Sequence, residues 1–276
     1  MTGIKAPILA TLAVTVLLIA ACGGGPEGEE WQLRSNAGVQ LYSEGNLVEA
    51  EIEFSEAIRL NPESAMSFNN RGLVRSFQGR FDLAKADFDE ALRLDPLLGM
   101  AFNNRGFANL NLGDFTKAVD DYDEAIRLNK LEPQTANPVT SLGPREQRLA
   151  NAYLNRANAF TQLTRFQDAV TDLSEAIRVD PEFGGTFTSR TGALMERARV
   201  YLMIGQFGMA LADLDEGISR DPASAELYAF RALVFIRLGD DEKSGLDVQR
   251  AMDLGADGGI LGRSIEEARR QRSPSR

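Results

Sequence analysis

Small, bulky and polar residues recur along the chain in a fixed order, and the order repeats in blocks of predicted helix. Four of the blocks close on an Asn-Pro or Asp-Pro pair: Asn61-Pro62, Asp95-Pro96, Asp180-Pro181 and Asp221-Pro222. A proline disfavours helical backbone at the residue before it, so each pair is expected to end a helix. The first two pairs lie one block of about 34 residues apart, and a fixed period of this size indicates an internal helical repeat.

Superposing the blocks aligns columns in which residue size is held. The first column contains Gly38, Gly72, Gly106, Ala157, Ala198 and Ala232. The second contains Ala50, Ala84, Ala118, Ala169, Ala210 and Ser244, and the third contains Ala57, Ala91, Ala125, Ala176, Gly217 and Ala251. Small residues let two antiparallel helices approach closely. Between the last two columns stands a bulky residue that we expect to fill the wedge between helix pairs: Phe54, Phe88, Tyr122, Leu173, Leu214 or Val248.

The combined spacing resembles the tetratricopeptide repeat, and it is clearest at Gly72, Gly79, Ala84, Phe88, Ala91 and Pro96. Copies begin near Trp31, Ala65, Gly99, Ala150, Thr191 and Ala225. The resemblance implies an all-α fold, a right-handed superhelical solenoid of about six helix pairs with a C-terminal capping helix. Residues 31–129 would hold the first three pairs and residues 150–254 the last three. Thr164 replaces the loop glycine of the fourth copy, and Lys130 replaces the proline of the third.

Three segments interrupt or end the repeats. Residues 130–149 contain Pro133, Pro138, Gly143 and Pro144, which predict a long loop. This loop is either a tolerated surface insertion or a functional segment, namely a lip over the groove or a second contact site. A shorter insertion lies around residues 182–188. In residues 255–276, the spacing of Ser264 and Glu267 matches a capping box and predicts a short helix from about Ile265 to Arg270, followed by a basic tail.

The N-terminus carries a second signal. Lys5 precedes an apolar run over residues 6–21, which is short for a bilayer span and typical of a secretory signal. The run ends in Ile19-Ala20-Ala21-Cys22, which resembles the bacterial lipobox. The resemblance implies cleavage before Cys22, acylation of Cys22, and a lipid-anchored protein on the outer side of the cell membrane or in the outer membrane. The alternative is an uncleaved membrane anchor. Residues 22–30 are predicted to be a flexible tether.

Composition narrows the classes of function. A net charge of −10 argues against nucleic acid, since phosphate binding needs a basic face. The chain has no histidine and one cysteine, which argues against catalysis, a metal site or a bound cofactor. Acidic clusters such as Asp87–Glu90 and Asp120–Glu124 are expected on helices, with Asp89 paired to Arg93 and Asp123 to Arg127, rather than in a calcium loop.

Two further columns predict structural ion pairs. Arginines occupy one first-helix position: Arg71, Arg105, Arg156, Arg197 and Arg231. Aspartates occupy one second-helix position of the same copies: Asp87, Asp121, Asp172, Asp213 and Asp247. The first copy has Ala37 and Glu53 at these positions. Because the guanidinium can donate two parallel hydrogen bonds to a carboxylate, we expect each arginine to bond an aspartate of its own or the adjacent copy and so to hold the stack in register.

The resemblance also implies where a partner would bind. In this family the concave groove is lined mainly by first helices and receives peptide or helical segments. The corresponding residues are Asn69, Asn70, Phe77, Asn103, Asn104, Asn111, Asn151, Asn155, Asn158 and Gln162. Asn70, Asn104 and Asn155 match the asparagines with which peptide-binding relatives hold a ligand's main chain. Bonding only within the array is the alternative. The lysines of the family's carboxylate clamp are missing, with Ser35 or Asn69 in their place.

These observations predict a lipid-anchored scaffold of the bacterial cell envelope that binds a protein partner in its groove. A related hypothesis is an assembly chaperone or adaptor lipoprotein that serves a secretin, an outer-membrane barrel or a cell-wall hydrolase. A hypothesis of another class is an enzyme or a small-ligand receptor with a closed site under the inserted loop. We expect no enzymatic activity.

Overall fold

The structure is a computed structural model, which describes residues 26–131, 145–179 and 190–271 and the side chains from Glu30 onward. In these ranges the chain forms thirteen α-helices and no strand, so the all-α prediction is confirmed. None of the described helices is long and apolar enough to cross a bilayer. The predictions for Cys22, the centres of both insertions and the end of the basic tail lie outside the described residues. The chain divides after Thr164 into two compact units.

The N-terminal unit consists of helical hairpins stacked in chain order. Its helices are α1 (Pro26–Ser43), α2 (Leu47–Leu60), α3 (Ala65–Phe77), α4 (Phe81–Leu94), α5 (Gly99–Asn111), α6 (Phe115–Leu131) and α7 (Arg145–Gln162). The first and second helices of a pair pack together in α1/α2, α3/α4 and α5/α6. Each second helix also packs on the first helix of the next pair, so α2 contacts α3, α4 contacts α5 and α6 contacts α7.

The C-terminal unit follows the same rule. Its helices are α8 (Phe166–Val179), α9 (Arg190–Met203), α10 (Phe207–Arg220), α11 (Ala225–Leu238), α12 (Asp241–Asp253) and α13 (Gly258–Gln271). Helices α9/α10 and α11/α12 form the pairs, and α8 and α10 pack on the first helices that follow them. Helix α13 packs on α11, where its Leu261 and Ile265 join the buried cluster of Ala232, Ile236 and Ala251.

The three described Asn-Pro and Asp-Pro pairs, at residues 61, 95 and 221, end second helices in the way the sequence predicts and also shape the next turn. Asp95 closes α4 with a hydrogen bond from its backbone N–H to the carbonyl of Ala91. Its carboxylate then accepts a hydrogen bond from the N–H of Leu97 at 2.9 Å. Asn61 and Asp221 do the same for Glu63 and Ala223 at 3.1 and 3.2 Å. A side chain that bonds its own backbone two residues on stabilises such turns.

The turn inside each hairpin needs one residue with a left-handed backbone. Glycine supplies it with φ near +80° at Gly45, Gly79, Gly113, Gly205 and Gly239. The fourth copy has Thr164 there, at φ +58°, and it is the one non-glycine with positive φ among the described residues. A β-branched residue pays a steric cost in this region, so the departure seen in the sequence is also a strained position.

The first column and the bulky column match in size. A Cβ added to Gly38, Gly72 or Gly106 would lie 2.7 to 2.8 Å from the ring of Phe54, Phe88 or Tyr122. Where the first column has alanine, the bulky column has an aliphatic side chain, as with the buried pair Ala198 and Leu214. The ring therefore takes the space that the missing Cβ leaves open, which explains why glycine stands opposite aromatic residues.

Three predicted boundaries were wrong. Helix α1 begins at Pro26 and includes residues 26–30 of the predicted tether, because proline suits the first helical position and the glutamates that follow suit a helix N-terminus. Residues 130–131 and 145–149 of the predicted loop are helical. Helix α13 begins at Gly258, before the predicted capping box, because the Asp257 carboxylate accepts hydrogen bonds from the N–H groups of Gly259 and Ile260.

Candidate functional site

The arginine column joins the two helices of each pair. Both nitrogens of one guanidinium edge donate to one carboxylate in Arg71–Asp87, Arg105–Asp121, Arg197–Asp213 and Arg231–Asp247. The shortest N–O distances are 2.7, 2.6, 2.7 and 2.8 Å, respectively. The aspartates are buried and the arginines half-buried. The structure thus brings four predicted pairs together, while Arg156–Asp172 spans the two units and stays a prediction.

The other guanidinium nitrogen reaches the second helix of the preceding pair, which the sequence analysis missed. Nη1 of Arg71, Arg105, Arg197 and Arg231 donates to Ser55, Asp89, Ser174 and Asp215, respectively, at 3.2, 2.8, 2.9 and 2.7 Å. Arg156 bonds Asp123 in the same way. Each acceptor is the residue directly after the bulky column, and it is Ser or Asp in all five copies. This recurring Ser or Asp is the sequence signal that would have predicted the second hydrogen bond. Arg71, Arg105, Arg197 and Arg231 therefore each connect three helices through hydrogen bonds.

Burial and hydrogen bonding compete at these pairs. Burial raises the pKa of the Asp121 carboxyl, while hydrogen bonds from Arg105 and Asn109 act in the opposite direction. The hydrogen bond to Asp213 raises the pKa of Arg197, so this guanidinium stays charged at every physiological pH. Two ion pairs expected on the second helices were wrong. Arg93 and Arg127 bond Glu90 and Glu124, because Asp89 and Asp123 turn toward arginines of the following pair.

A row of amides crosses the first helices of the N-terminal unit. We call Asn69, Asn70, Asn103, Asn104 and Asn155 the amide row. Nδ2 of Asn104 donates to Oδ1 of Asn69 at 3.0 Å, and Nδ2 of Asn69 donates to Oδ1 of Asn70 at 3.2 Å. Nδ2 of Asn155 donates to Oδ1 of Asn103 at 3.3 Å. The row therefore consists of two hydrogen-bonded chains across α3, α5 and α7.

The amide row keeps unused hydrogen-bonding groups. Within the described residues, Nδ2 of Asn70 and Asn103 and Oδ1 of Asn104 and Asn155 make no hydrogen bond. Asn70, Asn103 and Asn155 are half-buried, whereas Asn104 is 7% exposed. Donors and acceptors thus remain on neighbouring first helices, a combination that suits the N–H and C=O groups of an extended main chain.

The other predicted groove residues differ in position and partners. Asn69 is fully buried, so its predicted contact with a ligand was wrong, and it serves as the link between Asn70 and Asn104. Phe77 packs edge-on against Tyr42, with ring centroids 5.4 Å apart. Exposed Asn111 bonds the carbonyl of Phe107 at 2.8 Å, and Nε2 of Gln162 lies 3.5 Å from Oδ1 of Asn158. Asn151 lies on α7, half-buried.

The described part of the chain holds no group of three or more Asp, Glu, His or Cys side chains arranged to bind a metal ion. Its acidic side chains are instead distributed over second helices, where arginines and lysines bond many of them, as at Glu51, Asp89 and Glu216.

Comparison with known proteins identifies the repeat. Residues 69–133 and residues 150–183 each match a family model of the tetratricopeptide repeat. No curated protein sequence matches the chain. The matched segments contain three of the arginine-column residues and all of the amide row.

Solved structures share the fold at low sequence identity. PilW, a type IV pilus biogenesis factor, has a TM-score of 0.69 and 16% identity over 86% of this chain and 97% of its own. Pseudomonas aeruginosa PilF has a TM-score of 0.68 and 14% identity over 89% and 99% of the two chains. YrrB, described as having an unusual peptide-binding site, has a TM-score of 0.57 and 18% identity over 77% and 97%. Together with the family-model matches, this shared fold establishes that the chain contains tetratricopeptide repeats.

Proposed function

We propose that this protein is a lipid-anchored scaffold of the bacterial cell envelope that binds an extended segment of a partner protein along the amide row. Proteins built from tetratricopeptide repeats mediate protein–protein interactions. The observation that carries the proposal is the set of unused amide groups on α3, α5 and α7. The protein acts by binding and has no catalytic role.

The chemistry of the row favours main-chain recognition over recognition of a particular side chain. An amide donates and accepts at once, so it can bond the backbone of any sequence. The bonds inside the row fix the orientation of each amide before the ligand arrives, which lowers the entropy lost on binding. Neutral amides also bind without desolvating a charge. Specificity would then come from side chains around the row, such as the partly exposed Met66.

The test is crosslinking in intact cells followed by mass spectrometry. The variant carries Asn70→Ala, Asn103→Ala and Asn155→Ala, which removes the three half-buried amides and leaves buried Asn69 and Asn104 in place. With a net contribution of about 1 kcal/mol per hydrogen bond, we expect affinity to fall about 100-fold. Circular dichroism shows whether the variant remains folded.

The matched control is Gln249→Ala, which removes an exposed amide that bonds Asp253 on a second helix. A partner captured by the wild type and the control, but lost from the folded triple variant, supports binding at the amide row. Equal capture by all three proteins would refute the assignment of the site.

The lipid anchor is a separate part of the proposal and rests on the sequence Ile19-Ala20-Ala21-Cys22. Acylated at Cys22, the protein would hold its partner near a membrane and raise the local concentration of that partner. Growth with radiolabelled palmitate tests this directly. Label should enter the wild type, and Cys22→Ser should abolish the labelling and release the protein from the membrane fraction. Labelling of Cys22→Ser would contradict the lipobox assignment.

A second candidate is an assembly factor that binds a subunit of an envelope machine, such as a secretin, an outer-membrane barrel or a cell-wall hydrolase. It is favoured by the fold similarity to PilW and PilF, which extends over nearly the whole length of both proteins. The crosslinked partner distinguishes the two candidates, because an assembly factor is captured with a machine subunit only while the machine is being built. Capture that persists after assembly is complete supports a permanent scaffold.

A further inference from the structure

One face of α1 lacks the covering that every later first helix has. Leu33 is 66% exposed, whereas the residues in its column are at most 1% exposed: Ser67, Ala101, Ala152, Ala193 and Leu227. In later pairs, this side of the first helix packs against the second helix of the pair before it. Ala101, for example, lies in one buried cluster with Ala91 and Leu92 of α4. Helix α1 begins the stack, so no described helix occupies the corresponding place.

The same difference in exposure recurs two turns along α1. Gln40 is exposed, whereas Val74 and Ala108 in its column are fully buried. Val74 packs with Ala50 and Phe54 of α2, and Ala108 with Ala84 and Phe88 of α4. Ala37 replaces the arginine whose Nη1 would reach a preceding second helix. We call Leu33, Ala37 and Gln40 the open end face.

The opposite end of the chain shows how such a face is covered. Helix α13 places Leu261 and Ile265 against Ala232, Ile236 and Ala251 of the last pair, and both apolar side chains become buried. The last pair is therefore covered by an amphipathic helix of the chain itself. At the open end face, no described helix covers the side of α1 that corresponds to the interface between repeats, so this side is exposed.

We propose that the open end face binds one amphipathic helix of a partner protein, in the place that a preceding second helix would take. The helix would carry the small–bulky–small spacing of this chain's own second helices, exemplified by Ala84, Phe88 and Ala91 of α4. That pattern already packs against the equivalent side of α5. Ala37 leaves the centre of the face flat and uncharged, so the helix can approach without burying an unpaired charge.

The partner is expected to be a helix because the open end face is equivalent to the side of later first helices that packs against a second helix. The apolar stripe of such a helix covers Leu33 and removes its exposed apolar surface from water. At the other end of the face, Gln40 donates to Glu44 at 2.9 Å, and both side chains are exposed. Oε1 of Gln40 makes no hydrogen bond within the described residues, and it would accept one from a basic or amide side chain of the helix. The open end face lies apart from the amide row, so a scaffold with both surfaces would join two partners.

Helix α4 supplies the sequence of a probe peptide for the open end face. The peptide has the sequence of residues 81–94, is labelled with a fluorophore, and is held helical by a hydrocarbon staple on its solvent side. Its binding to the full-length protein is followed by fluorescence anisotropy. We expect saturable binding that weakens at least about tenfold in Leu33→Asp. The same peptide with Phe88→Asp should not bind.

The matched control is Leu97→Asp, since Leu97 is 70% exposed in the turn between α4 and α5. It should bind the peptide as the wild type does, and circular dichroism of both variants confirms folding. No saturable binding to the wild type, or equal binding to Leu33→Asp, would overturn the proposal. A concentration-dependent dimer in analytical ultracentrifugation that Leu33→Asp disperses would also overturn it, in favour of a second copy of the chain. The variant that lacks Asn70, Asn103 and Asn155 keeps the peptide binding if the two surfaces are independent.

Discussion

The match between glycine and aromatic residues gives a quantitative prediction for Gly72→Ala. The added Cβ would lie 2.7, 2.9 and 3.0 Å from three ring carbons of Phe88, which is fully buried. Overpacking of this kind costs about 1 to 3 kcal/mol. Alanine has a higher helix propensity than glycine by about 1 kcal/mol. We therefore expect the free energy of unfolding to fall by about 0 to 2 kcal/mol.

The compensating change is Phe88→Leu, which restores the combination that the fifth copy uses at Ala198 and Leu214. Alone it should destabilise, because it leaves a cavity opposite Gly72. The double variant should lose less unfolding free energy than the sum of the two single variants, by a coupling energy of about 1 to 2 kcal/mol. Urea unfolding followed by circular dichroism gives the four free energies of the cycle.

Gly245→Ala serves as the control, since Gly245 lies within α12 and a Cβ there meets no atom within 4 Å. It should stabilise the protein through helix propensity alone. The reasoning is refuted if Gly72→Ala stabilises as Gly245→Ala does, or if the double-mutant cycle shows no coupling.

Three further predictions concern single side chains, and urea unfolding tests each of them. Tyr122→Phe should raise the free energy of unfolding by about 1 kcal/mol, because the buried hydroxyl has no hydrogen-bond partner within the described residues; a loss of stability would mean that the hydroxyl is bonded. Thr164→Gly should raise it by about 1 kcal/mol by relieving the backbone at φ +58°, and an unchanged value would argue against strain. Arg105→Ala should lower it by about 3 kcal/mol by leaving buried Asp121 unpaired, with Arg105→Lys intermediate, and an unaltered value would exclude a role in holding the helices in register.

The fold was largely predictable because the same local rules act in every copy. The Asn-Pro and Asp-Pro pairs mark helix ends through backbone sterics, which depend on neighbouring residues only. The small columns are visible because close helix packing repeats at each hairpin. The start of α1 was not predictable, because Pro26 and the acidic residues after it suit both a polar tether and a helix N-terminus. Periodicity cannot separate these two states over one turn.

The candidate site was less predictable because it depends on contacts between copies. The register assigns Asn69 and Asn70 to one helix face. Asn69 is nevertheless fully buried and bonded to Asn104 of the neighbouring helix α5, and this contact between copies is not visible in the sequence of one copy. The second acceptor of each arginine was missed for a related reason. The predicted partners were the aspartates of one column, in the same or the adjacent pair, whereas Ser55 and Asp89 lie at another second-helix position.

The first copy has Ala37 in place of the column arginine, and its position at the start of the described stack explains the difference. Arg71 bonds Asp87 of its own pair and Ser55 of the pair before, so its charge is balanced by groups on both sides. At the first pair, no described helix precedes α1, and an arginine at position 37 would have one of these sides open. Arg34 bonds Glu53 instead, which frees position 37 for a small apolar residue. Alanine at position 37 therefore removes an inter-repeat hydrogen bond and at the same time leaves the flat surface to which a partner helix can bind. The amide row differs, because its open groups are amide donors and acceptors that lack a partner inside the described stack.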